Sequence, residues 1–195
     1  MRSVGRSNRH VILSGIALFA SAACLDHELA PDDPREVGGS GSAQYIAFQH
    51  DFADYEDWMK FDTEVEAEHG GVVGMISEFV NQLPEPDATE FPVGTMIVKT
   101  VQPKEGPAPA IHAMVKRGGT FNKSGALGWE FFELQKNAKG IPIIAWRGAT
   151  PPDGERYKNL LMPDSDVKEA DCNDCHVVSK NDAVLSDVLQ LDELQ

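Results

Sequence analysis

The chain is short of basic residues, of cysteines and of long apolar runs. It sets 17 Lys and Arg against 31 Asp and Glu, for a formal net charge of −14. Phosphate recognition needs a basic face, so no nucleic-acid partner is expected. Of its three cysteines, Cys172 and Cys175 are the only closely spaced pair, too few thiols for a closed four-cysteine zinc site. The apolar run from Val11 to Ala20 is too short to span a bilayer. Internal repeats are missing, and so is the strand–helix alternation of a doubly wound sheet.

What is present divides into three parts. Arg2, Arg6 and Arg9 precede the apolar run, and Ser21, Ala22 and Ala23 follow it, which is the order of an export signal over residues 1–23. Small residues before Cys24 resemble a bacterial lipoprotein box, with Ser21 where Leu is usual, so lipidation of Cys24 is expected. Ordinary cleavage near Ala23, leaving a free thiol, is the alternative. Residues 24–43 are acidic and then Gly/Ser-rich, as in Gly38-Gly39-Ser40-Gly41-Ser42, and read as a flexible tether. Residues 44–195 hold the aromatic residues of a globular domain. An exported, periplasmic and membrane-anchored lipoprotein is the expectation.

Within the domain, apolar residues at steps of three and four from Gln44 to His69 predict a helix ended by Gly70-Gly71. Its other face is acidic and includes Glu64, Glu66 and Glu68, read as a solvated surface with His50 and His69. Strands are expected over 72–80, 95–101, 111–116, 129–135 and 141–146, the last at an edge because of Pro142. The fold class expected is α+β, an antiparallel sheet with flanking helices and a C-terminal cofactor-attachment segment.

That segment is Cys172-Asn173-Asp174-Cys175-His176, a C-x-x-C-H run. Two thiols at this spacing can hold the two vinyl groups of one porphyrin, with the adjacent imidazole as axial iron ligand. One covalent haem c is therefore expected, on Cys172, Cys175 and His176. A disulfide or redox pair is the rival, but such pairs usually follow a strand in a βαβ unit. The residues after His176 include no His and no Met. A sixth iron ligand must come from upstream, or that position stays open to a small molecule.

Phe91-Pro92-Val93-Gly94-Thr95-Met96-Ile97-Val98-Lys99 is similar to the F-x-x-G-T-x-x-V-K strand of the cytochrome P-460 family. Met114-Val115-Lys116-Arg117, Gly128-Trp129-Glu130-Phe131-Phe132 and Asn181-Asp182-Ala183-Val184-Leu185 resemble later segments of that family, in the same order. The resemblance covers roughly residues 45–190. It implies a homodimer of mono-haem domains, which oxidise hydroxylamine or, in the related cytochromes c prime beta, bind nitric oxide. An unidentified redox partner would accept the electrons. It further implies that Lys99 corresponds to a lysine cross-linked to the porphyrin in catalytic members. His112 falls where those members carry a distal carboxylate, and Thr100 follows Lys99 where Glu is usual.

Each of these residues has a plainer role open to it. Lys99 on a strand can snorkel to solvent, and His112 can be a hydrogen-bonded structural residue. As a distal group His112 would bond a bound nitrogen compound, move its protons or ligate the iron. Met96, Met114 and Met162 are conceivable ligands but suit core packing. Trp129, Phe131 and Phe132 suit a core or a pocket wall.

Overall fold

A computed structural model of the protein describes residues 44–106, 108–152, 157, 158, 160 and 169–194. The expected export signal, Cys24, the tether and Met162 lie outside the described residues.

Alternating side chains build one antiparallel sheet. β1 (Met59–Asp62) and β2 (Ala67–His69) share one edge of β3 (Val72–Val80). β3 then pairs with β4 (Met96–Gln102), β4 with β5 (Ala110–Lys116), β5 with β6 (Trp129–Lys136) and β6 with β7 (Pro142–Arg147). Pro142 sits on the edge strand, the place that tolerates a missing N–H. A separate pair, β8 (Tyr157–Lys158) with β9 (Glu169–Ala170), leads into α1 (Cys172–His176).

The expected α+β arrangement with flanking helices does not form. The chain is a mostly antiparallel sheet. Its helices are few and short, among them the 3-10 turns Gln49–Phe52 and Tyr55–Asp57 and the five-residue α1. The helix expected over Gln44–His69 does not form: short 3-10 turns stand before Trp58 and strands follow it. The first turns do bury Phe52 and Tyr55 against the sheet. Beyond them Asp62, Glu64, Glu66 and Glu68 alternate with apolar or small residues, and the edge of β3 offers backbone groups that need partners. β1 and β2 take that edge. Gly70-Gly71 is a two-residue hairpin turn, with φ of +57° and +78° at its two glycines. His69 therefore ends a strand, and His50 lies in a 3-10 turn.

Two cores lie on the two faces of the sheet. On one, Phe79, Val98, Val115, Phe132 and Leu134 pack under Phe52 and Tyr55. On the other, Val80, Ile97, Met114, Trp129 and Phe131 pack under Ala183, Val184 and Leu189 of the C-terminal segment. Each large side chain fully buried this way contributes roughly 1.5–3 kcal/mol.

Register sorts the second face into rungs. Val80, Ile97, Met114 and Phe131 lie side by side as an apolar rung. The next rung on that face reads Glu78, Lys99, His112, Glu133 and Trp146 across five strands. A register shift between Glu133 and Leu134 makes room for Ala145 as an extra residue in β7. That bulge brings Trp146 opposite Glu133, and its indole N–H donates to Glu133 Oε2 at 2.8 Å.

Candidate functional site

Glu78, Lys99, His112 and Trp146 of the polar rung line a cavity of about 480 Å³. That volume lies within the roughly 300–1,000 Å³ usual for cofactor and ligand sites. Cys172, Cys175 and His176 come from α1, His69 from the hairpin, and Tyr157 from β8. The structure thus brings Lys99, His112, Cys172, Cys175 and His176 to one cavity.

α1 is short, and the two intervening residues of its motif hold it. Asp171 caps it, accepting from Asp174 N at 3.0 Å, while Asp174 accepts from Asp171 N at 2.9 Å. Asn173 docks it to the 122–126 loop. Its Oδ1 accepts from Asn122 Nδ2 at 2.6 Å and from Ala126 N at 3.0 Å. Gly125 is needed there, since a Cβ would come within 2.2 Å of the Asn173 side chain. With Asn173 and Asp174 so engaged, Cys172, Cys175 and His176 share the remaining helix face at spacings of three and four.

Both thiols are free and half-buried. Burial, reinforced by Asp171, pushes the Cys172 thiol up to about 12. Burial and then Asp174 raise Cys175 as well. Neither is the low-pKa thiolate of a redox pair.

His176 is buried, and its Nδ1 lies 2.7 Å from Ala183 O. A carbonyl only accepts, so Nδ1 carries the proton and Nε2 keeps its lone pair. This is the tautomer a metal-ligating imidazole uses. Burial pulls its pKa down to about 4, so the ring is neutral at pH 7. With no ligand on His176, the folded chain resists protonation that the unfolded chain accepts near 6.5. Stability is then full above about 6.5 and falls as pH drops toward about 4, by about 3 kcal/mol from this ring. Urea denaturation of the haem-free protein across that window measures it, and a flat profile would contradict the burial.

His112 and His69 form a second pair. Their Nδ1 atoms are 3.2 Å apart and their ring centroids 4.9 Å. Burial lowers the pKa of both, most strongly for His69. Two neutral rings sharing one Nδ1 proton must be opposite tautomers, so one retains a lone pair at Nε2 and the other an N–H. Tyr157 stands edge-on to His112, with its buried hydroxyl unpartnered among the described residues. The hairpin turn closes on this pair. A Cβ on Gly70 would lie 2.3 Å from His112 Cε1, whereas one on Gly71 would meet nothing within 4 Å. Gly70→Ala is therefore expected to displace the His112 ring and to cost more than Gly71→Ala, which carries only the strain of positive φ, about 1–2 kcal/mol. Ring NMR signals and thermal melts of the two variants compare them.

Lys99 is not loose in solvent. Its Nζ donates to Leu185 O at 2.6 Å and pairs with Glu78 Oε1 at 2.9 Å, where Glu78 is almost fully buried. Ser186 Oγ donates to the other Glu78 oxygen. Met114 lines the cavity beside Phe131, whose ring centre is 4.9 Å from that of His176. Met96 and Phe132 belong to the opposite core, and Trp129 belongs to the core that contains Ile97, Met114 and Phe131.

A porphyrin needs two thiols, one axial imidazole and an apolar wall, and these residues fit it. Among the described residues, no three His, Cys, Asp or Glu side chains are arranged to hold a bare metal ion. Sequence reasoning missed His69, Tyr157, Glu78 and Asn173. His69 was assigned to a helix that does not form, and nothing local distinguishes the other three.

Compared with known protein families, curated proteins and solved structures, the chain matches none of them.

Proposed function

We propose that this chain is an exported mono-haem c-type cytochrome of the cytochrome P-460 kind. It would bind or oxidise a small nitrogen compound, such as hydroxylamine or nitric oxide, at the cavity on the polar rung. One observation carries most of the weight. Cys172, Cys175 and His176 line one cavity with free thiols, and the Nδ1–H of His176 is committed to Ala183 O, which leaves Nε2 for a metal. Cys172 and Cys175 would hold the porphyrin and His176 the iron. When bound, haem supplies an iron that changes oxidation state and takes a small ligand.

The rest falls to the chain itself. Ile97, Met114 and Phe131 exclude water beside the polar rung. The His69–His112 pair offers one donor and one acceptor, and so can hold a small molecule and move a proton to or from it. Lys99 lines the same cavity, with its amine engaged by Glu78 and Leu185. Lipidation at Cys24, a homodimer and an external redox partner belong to the same proposal.

His69 favours a second reading. Two imidazoles besides His176 line the cavity, and the His69 and His176 ring centres are 6.4 Å apart. A second imidazole on the iron would give a six-coordinate electron carrier or a nitric-oxide binder without catalysis.

Absorption spectra of the oxidised and reduced protein, with and without nitric oxide, test both. A strongly shifted reduced Soret band indicates a Lys99–porphyrin cross-link and the catalytic form. An ordinary reduced c-type spectrum that changes with nitric oxide indicates the binding form. A low-spin spectrum indifferent to nitric oxide indicates the carrier. A protein without covalent haem sinks all three.

A further inference from the structure

The buried pair Lys116–Asp182 lies outside the cavity, and no step above uses it. Lys116 Nζ stands 2.6 Å from Asp182 Oδ1 and 2.8 Å from Oδ2, and both side chains are buried. Asp182 Oδ2 also accepts from Phe91 N at 2.9 Å. Lys116 packs over the Trp129 ring, and the exposed Glu90 lies 3.8 Å from its amine.

Asp182 sits in an unusual turn. Its φ is +48° and that of Ala183 is +62°. The left-handed region is unfavourable for residues with side chains, so two of them in succession persist because something holds the turn. Asp182 has the means, with two bonds from Lys116 and one from Phe91. What the turn presents is Ala183 O, the acceptor of the His176 Nδ1–H. Resting on the haem reading above, we propose that Asp182 and Lys116 are positioning residues for His176. By clamping the turn they fix the Ala183 carbonyl, and through that bond the electron donation of the axial imidazole.

The physics sets a direction. A strong Nδ1–H···O bond makes the imidazole a better donor and favours the oxidised iron. Releasing the clamp weakens that bond and raises the midpoint potential. Simple charge effects predict otherwise. Asp182→Asn removes a negative charge and would raise the potential, whereas Lys116→Met removes a positive charge and would lower it. Positioning predicts a rise in both.

The experiment is redox titration of the haem-loaded protein and these two variants. The expected result is a rise in each, by a shift of about threefold or more in the oxidation equilibrium, or about 28 mV at 59 mV per tenfold. Opposite signs, or no change in either, overturn the proposal. Should a neutral variant fail to accumulate, Asp182→Glu replaces it, keeping the charge while moving the carboxylate. A raised potential there supports the clamp and an unchanged one overturns it. If the natural chain carries no haem, the functional reading fails separately. The clamp is then read from the 15N signals of the His176 ring in the haem-free protein. Loss of the Nδ1–H tautomer in Asp182→Asn supports it, and an unchanged tautomer overturns it.

Discussion

A protein carrying Cys172→Ala and Cys175→Ala together is expected to lose all covalent haem and keep its fold. The two thiols are half-buried and form no disulfide, so their removal opens no cross-link. α1 is held by its Asp171–Asp174 cap and by Asn173, none of which the substitutions touch. Each exchange removes one sulfur facing the cavity, and small losses of this kind cost on the order of 1 kcal/mol. Haem-stained denaturing gels, after expression with haem-attachment machinery, give the readout. The natural chain should stain, each single variant should stain less, and the double variant should not stain. Staining of the double variant would exclude these thiols as the attachment points. Circular dichroism of the double variant should retain the strand signal.

Glu78→Leu is expected to cost about 3–5 kcal/mol, because it leaves Lys99 charged in a largely buried place without its carboxylate. Lys99 would keep Leu185 O alone, a neutral acceptor. Ser186 would lose its Glu78 contact, loosening the segment that lies over the cavity. At roughly 2–4 °C per kcal/mol for a domain of this size, the melting point should fall by about 6–20 °C. Adding Lys99→Met removes the stranded charge and should recover most of the loss, since well-packed apolar replacements of buried pairs are often near neutral. Equal stability of the single and double variants would mean that Lys99 and Glu78 do not depend on each other. Urea denaturation of the four proteins in the cycle measures the coupling.

The strands and the motif were legible because their signals are local. β3 to β7 follow from alternation and β-branched content, and Pro142 marked an edge before any pairing was known. Cys172, Cys175 and His176 carry their spacing in five consecutive residues. The region before β3 was misread because period alone does not say what the backbone will pair with. Phe52 and Tyr55 kept their apolar step in short turns, but Met59–Asp62 and Ala67–His69 were taken by the open edge of β3. That error hid His69, which reaches the site only through a hairpin. Glu78, Asn173 and Asp182 were illegible for another reason. Their roles depend on partners far along the chain, Lys99, Asn122 and Lys116.

The polar rung also makes the domain unevenly tolerant of length changes. Glu78, Lys99, His112, Glu133 and Trp146 meet because five strands are in register. Deleting one residue inside β4 would turn Lys99 to the opposite face and put a neighbour in its place. Residues between strands set no rung partner, and a connection there can change length at far lower cost. A deletion scan would therefore trace the site as narrow intolerant windows in the strands, separated by permissive loops.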